Sequence, residues 1–276
     1  MRAFFFKFLS DEPTGLNVSI ESFNIWHILY VILIIGGTIA FAFFLNKKDE
    51  NFQTKVFRFL AYALVITYVA DYFFHDFVYA DIVDGEYVGN ELNMDKLPFH
   101  ICTALCPTIA FAQFNNKFKK FLEPIVALAI VAPMMYITYP SSGVGGEPWC
   151  YRTVQTMFFH GVEFAWGFLH LSTKRVRLEW KNIWKSAVFL AIITAWAKFG
   201  STLLEYNWFF LNYDPFGLDL PKWLLLFAIP SSIFAMVALI YAIYYGVVHI
   251  LEKRIALQPA LLAEVAVSEE KQEKQD

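Results

Sequence analysis

Val31-Ile32-Leu33-Ile34-Ile35-Gly36-Gly37-Thr38-Ile39-Ala40-Phe41-Ala42-Phe43-Phe44-Leu45 contains no charged side chain. With Ile25 to Tyr30 before it, the stretch is long enough to cross the hydrocarbon core of a bilayer, which takes about 20 apolar residues of helix. Six more such stretches follow, near 57–79, 97–114, 121–139, 150–171, 184–206 and 221–250. Only 17% of the chain is charged while 58% is hydrophobic, against roughly 25% charged in soluble domains. The fold expected is therefore all-α, a polytopic seven-transmembrane-helix bundle whose last span is long enough to tilt or project inward.

The basic residues give the orientation. One set of alternate connections holds Lys47, Lys48, Lys55 and Arg58, then Lys117, Lys119 and Lys120, then Lys174, Arg175, Arg177, Lys181 and Lys185, then the C-terminal tail. That side carries 16 basic residues and the other 5, which the positive-inside rule reads as N-terminus out and C-terminus in. Residues 1–24 form an extracytoplasmic or interfacial N-terminal segment, with Arg2 and Lys7 in water and phenylalanines in the lipid boundary. Lys7 interrupts an apolar run too short for a signal-peptide core. Residues 25–250 make up the membrane domain, and 251–276 a polar cytoplasmic tail, solvated or partly disordered. The acidic connection Asp81 to Asp95 and the flexible turn Ser141 to Pro148 fall outside. The chain is expected in the cell membrane as a multi-pass protein with lipid as its environment. Its net charge of −3 is uninformative about partners, among which no nucleic acid is expected. Three cysteines suggest no disulfide framework.

Within this topology, Leu97-Pro98-Phe99-His100-Ile101-Cys102 places an imidazole and a thiol in the outermost turns of span three, with Pro98 near its first position. Asp71 and His75 share a face in the outer half of span two, four residues apart. Arg152 and Gln155 lie shallow in span five, and His160 sits about 15 Å deep at 1.5 Å per residue, with Glu163 one turn further in. Lys198 and Glu205, seven apart, occupy the outer half of span six, and Asn207 follows at its exit. Ionisable groups facing lipid would cost about 2.5–3.5 kcal/mol each, so an extracytoplasmic polar pocket between helices is the economical arrangement.

A thiol attacks as thiolate, and a neighbouring imidazole can take its proton. His100 and Cys102, two apart on a helix, face opposite ways, so His160 or His75 is the better base. Asp71 could orient His75, and Arg152 or Gln155 could stabilise an oxyanion or hold a lipid phosphate. Each residue also has a plain reading. Cys102, Cys106 and Cys150 suit packing or a surface, a single intramembrane His serves as an interhelical hydrogen bonder, Lys198 and Glu205 form a structural ion pair, and Arg152 snorkels. The aromatic residues are core and interface belts, and no cofactor motif is found.

The opening of span three, the mid-span His160 and the pair Asn207-Trp208 at the exit of span six resemble the YwaF family of integral membrane proteins, over about residues 25 to 250. That family shows a Leu-Pro-x-His-x-Cys opening, a later mid-span His and an Asn-Tyr pair, of which Asn207-Trp208 is a conservative departure. It is similar in turn to the transmembrane protein 164 acyltransferases, and more distantly to the androgen-induced-gene hydrolases of fatty acid esters. The resemblance implies a membrane-embedded Cys or Thr nucleophile working with a His. His160 carries over as that His, and Cys102 is the thiol nearest the outer start of span three.

The function expected is a lipid acyltransferase or lipid ester hydrolase with Cys102 as nucleophile and His160 as base, fed laterally from the outer leaflet. His100, His75 and Asp71 would complete the catalytic cluster, and Arg152, Gln155, Lys198, Glu205 and Asn207 would bind substrate. Two rivals stand beside it. His75, His100, His160 and Asp71 could ligate a zinc ion that activates water, although no His-x-x-x-His pair supports this. The cluster could instead be a binding or translocation path for a small polar solute or proton, although no inverted repeat is evident.

Overall fold

The computed structural model describes residues 19–78, 81–83, 86–88, 94, 97–139, 146–212 and 220–273. Seven α-helices are found among them: α1 (Ile25–Leu45), α2 (Glu50–Val78), α3 (Ile101–Phe114), α4 (Leu122–Thr138), α5 (Tyr151–Ser172), α6 (Ile183–Leu203) and α7 (Lys222–Glu273). Among the described residues four segments are long and apolar enough to cross a membrane, namely Ile25–Leu45, Asn116–Thr138, Trp180–Leu203 and Lys222–Ile250. The chain is thus a multi-pass membrane protein. The other three helices fall short for two reasons. At 14 residues α3 spans about 21 Å, whereas α2 and α5 have the length but carry too many polar and charged residues within it.

The helix ends follow local chemistry. Asp49 caps α2 by accepting from the amide of Phe52 at 2.9 Å, a bond that holds its carboxyl below the usual carboxylate range. This starts the helix earlier than position 57, because its first turns are polar and need no lipid. Asn24 caps α1 through the amide of His27 at 3.0 Å. At α3 the expected start is corrected. Pro98 and Phe99 form a turn, with the Phe99 amide donating to Leu97 O at 2.7 Å, and the helix begins at Ile101 with His100 as N-cap. The acidic connection after α2 contains a small antiparallel hairpin, β1 (Asp81–Val83) on β2 (Glu86–Val88), which the sequence does not announce. The tail also differs from expectation in backbone, since α7 continues to Glu273.

An α4–α5 pair forms the centre. Every residue of α4 from Pro124 to Pro133 is buried, and α5 is buried around most of its circumference. That explains why α5 fails the apolarity test: a helix surrounded by helices can carry polar groups that lipid would reject. Both α1 and α2 pack on α5, α6 and α7 pack on α4, and α3 touches α2, α4, α5 and α6. Large apolar side chains on α1, α6 and α7, such as Leu33, Ile192 and Phe227, stay exposed and suit a lipid boundary.

The basic connections meet at one end of the bundle. Arg175, after α5, donates to Glu50 O at 2.7 Å, Thr54 Oγ1 at 3.0 Å and Gln53 Oε1 at 3.1 Å, and lies over the Phe57 ring. Nearby, Glu123 at the start of α4 accepts from the Glu179 amide at 2.8 Å, Asn182 Nδ2 at 2.9 Å and the Tyr241 hydroxyl at 3.2 Å. This carboxylate joins α4, the α5–α6 connection and α7. Replacing Glu123 by Ala removes three partly exposed hydrogen bonds worth about 1 kcal/mol each, net, so a loss of roughly 3 kcal/mol and a clear fall in Tm in detergent are expected. An unchanged Tm would show that the hub contributes nothing. At the opposite end the Ile20 amide bonds Gly146 O at 2.9 Å and His27 Nε2 donates to Ile137 O at 2.7 Å.

Candidate functional site

The short helix α3 begins inside the bundle, not at its rim. Cys102 is its second residue, yet its thiol interacts with the carboxyl of Glu163, twelve residues into α5 and hence about 18 Å along that helix. Two features seat this late start. Phe99 packs against Trp196 and Trp208, at ring-centroid distances of 5.0 and 4.6 Å. The two indoles in turn hold the incoming chain, Trp196 Nε1 donating to Pro98 O at 2.7 Å and Trp208 Nε1 to Met94 O at 3.0 Å. Gly200 on α6 leaves room for the Phe99 ring.

The loop after α6 closes over the same region. His100 accepts from the Phe209 amide through Nδ1 at 3.4 Å. Glu205, Phe209 and Phe210 all have positive φ, at 53°, 58° and 54°, a region costing of order 1 kcal/mol or more for a residue with a side chain. Polar bonds hold the loop in this shape. Asn207 Oδ1 accepts from the Asn212 amide at 2.8 Å, Asn212 donates to Tyr206 O at 2.9 Å, and Lys198 Nζ donates to Asn212 Oδ1 at 3.2 Å. Lys198 and Asn207 thus act on the loop. Glu205 lies beyond the end of α6 and is exposed, so it does not share a helical face with Lys198.

On α5, Thr156, His160, Glu163, Gly167 and His170 share one face by their spacing of four and three. His160 stacks on Tyr136 of α4 with centroids 3.9 Å apart and planes 9° from parallel. Its Nδ1 lies 2.8 Å from Thr156 O. A carbonyl only accepts, so Nδ1 carries the proton and Nε2 is the basic nitrogen of the neutral ring. Gln155 donates to Thr67 O of α2 at 3.4 Å and accepts from Thr156 Oγ1 at 3.2 Å. Arg152 is half-buried in the first turn. Cys150, which the sequence suggests as a surface thiol, is fully buried, as N-cap of α5, with Sγ 3.3 Å from Thr153 Oγ1.

Two residues that sequence reasoning did not select stand out. Glu163 has no exposed surface, and no nitrogen or hydroxyl donor among the described residues bonds either carboxyl oxygen. It faces the thiols of Cys102 and, one turn on, Cys106. His170 is buried with both ring nitrogens unbonded among the described residues, stacked on Phe57 at 3.9 Å and edge-on to Trp166 at 4.4 Å. The signal for Glu163 was present: a carboxyl three residues after the mid-span His, in an apolar helix, on the same face.

Cys102 and Glu163 thus meet where α3 crosses α5, His160 lies one turn from Glu163 on the same face of α5, and His100 turns toward the loop after α6. The side chains of Asp71 and His75 on α2 fall outside the described residues, and so does their part in a site. Among the described residues no three His, Cys, Asp or Glu side chains are grouped to hold a metal ion. An open apolar groove of about 260 Å³ between α1, α2 and α5, lined by Leu33, Ile34, Phe41, Leu60, Phe158 and Leu169, lies on the other face of α5 from Glu163.

The family model described as the TMEM164 family matches residues 20–256. No curated protein and no solved structure matches the chain.

Proposed function

The chain belongs to the TMEM164 family, and from that premise we propose that it transfers acyl groups between membrane lipids, or hydrolyses lipid esters, through a Cys102 thioester. The likeness of its span-three opening to the YwaF family is part of the same reading. The observation that carries it is the burial of a thiol against a polar face of the central helix, in a core where such groups are costly. Cys102 is the sulfur that becomes acylated. His160, with Nε2 basic, is the base for the lipid or water oxygen. Because Cys102 is in the first turn of α3, amides with no partner within the helix lie beside it, where charge developing on an acyl oxygen is favoured. The loop with Asn207 and Lys198 closes the site. The charge bias of the connections supports a cell-membrane protein with the N-terminus out and the site in the outer half.

The test is acyl exchange in proteoliposomes containing phospholipid and an isotopically labelled lysophospholipid, followed by mass spectrometry. Cys102→Ala is expected to abolish exchange and His160→Ala to lower it at least about 100-fold, the usual weight of a general base. Wild-type exchange in Cys102→Ala would remove the thiol from the mechanism.

A further inference from the structure

A glutamate that merely supports a fold collects donors, as the half-buried Glu123 does from a backbone amide, an asparagine and a tyrosine. Glu163 collects no nitrogen or hydroxyl donor among the described residues, and both its oxygens are buried. What it faces instead is Cys102. An ionised carboxylate with no partner in a dry interior costs several kcal/mol, and its retention there calls for a use.

We propose that Glu163 is the proton shuttle of Cys102, a catalytic carboxyl that exchanges protons with the thiol and the lipid oxygen. The proposal rests on the reading of Cys102 as nucleophile. As sulfur bonds to the acyl carbon of the donor ester, one oxygen of the neutral carboxyl takes the thiol proton. The other oxygen gives its own proton to the departing lipid oxygen as the carbon–oxygen bond breaks. The products are a thioester on Cys102, a free lipid alcohol and a carboxyl that is again neutral. In the second half the acceptor alcohol bonds to the acyl carbon and gives its proton to the carboxyl. The carbon–sulfur bond breaks, and sulfur takes a proton from the other oxygen. The acyl group has moved between two alcohols with no other co-reactant, and no net charge is left in the core. Such a shuttle needs a carboxyl whose oxygens are held by no donor other than the thiol, which is the observed state among the described residues. His160, one turn outward, is the base that relays the alcohol's proton to and from this carboxyl.

The experiment uses the full chain in lipid nanodiscs, with dodecyl-maleimide as probe and mass spectrometry of the Cys102 peptide as readout. Labelling of Cys102 is expected to fall about tenfold or more in Glu163→Gln, which keeps the shape but cannot pass a proton on, and to recover in part in Glu163→Asp. Wild-type labelling of Cys102 in Glu163→Gln overturns the proposal. Failure of the Cys102 reading looks different, since lipid exchange then survives in Cys102→Ala whatever position 163 holds. Infrared difference spectra of the wild type before and after alkylation give a second readout that needs no variant to fold. A carboxyl carbonyl band is expected to shift when Cys102 loses its proton-exchanging partnership, and a spectrum with no carboxyl change overturns the proposal equally.

Discussion

Gly200→Ala is expected to destabilise the protein by about 3 kcal/mol or more, at the upper end for overpacking, and to lower Cys102 labelling with it. A Cβ at position 200 would stand 2.4 Å from Phe99 Cδ1 and 2.6 Å from Cε1 and Cγ. Ordinarily a ring so crowded swings aside. Here Trp196 stacks on it and Trp208 packs against it at a tilt, and both indoles are fixed by hydrogen bonds to the chain that enters α3. The displacement therefore passes to Leu97–His100 and on to Cys102, two residues from the N-cap. The check is a second substitution at the other side of the contact. Phe99→Leu alone leaves a cavity and costs stability, but added to Gly200→Ala it is expected to restore part of the loss, a coupling of the kind shown by residues in contact. A Gly200→Ala protein with wild-type Tm and wild-type labelling of Cys102 would mean that this seat does not hold the start of α3.

The helices themselves were legible because each apolar run is closed by polar residues. The expected spans at 25–45, 121–139 and 150–171 end within a residue of α1, α4 and α5. The start of α3 was not legible. Leu97 to Phe99 is as apolar as the helix it precedes, and only the indoles of Trp196 and Trp208, about 100 residues away, make it a turn. The site was legible in part for a similar reason. Depth can be read from position along each helix, and it set Cys102 near the start of α3 and His160 and Glu163 midway along α5. Which side chains face each other depends on helix neighbours and rotation. That information put Glu163 beside Cys102, turned His100 toward Phe209, and gave Lys198 to Asn212 and not to Glu205.

The second large effect concerns the helix that carries His160 and Glu163. In a helix interior, replacing Gly by Ala normally gains about 1 kcal/mol from backbone entropy. At Gly167 the sign is expected to reverse. A Cβ there would lie 3.0 Å from Ile130 Cγ1 and 3.1 Å from both Ala129 C and Val126 O, so two of its three nearest neighbours are backbone atoms of α4. Backbone inside a packed helix cannot give way without separating the helices. Gly167→Ala is expected to cost about 1–3 kcal/mol and Gly167→Val more. The other glycines grade the comparison. Gly161 meets the Ile34 side chain at 3.2 Å, which can rotate, and Gly36 meets nothing within 4 Å. Thermal unfolding in detergent should therefore place Gly36→Ala at or above the wild type, Gly161→Ala near it, Gly167→Ala clearly below and Gly167→Val lowest. Function should follow the same order, because Glu163 sits one turn before Gly167, and His160 depends on the Tyr136 ring of α4 at 3.9 Å. If Gly167→Val matched the wild type in stability and in Cys102 labelling, the close approach of α4 and α5 would not be what lets a polar helix occupy the centre of this bundle.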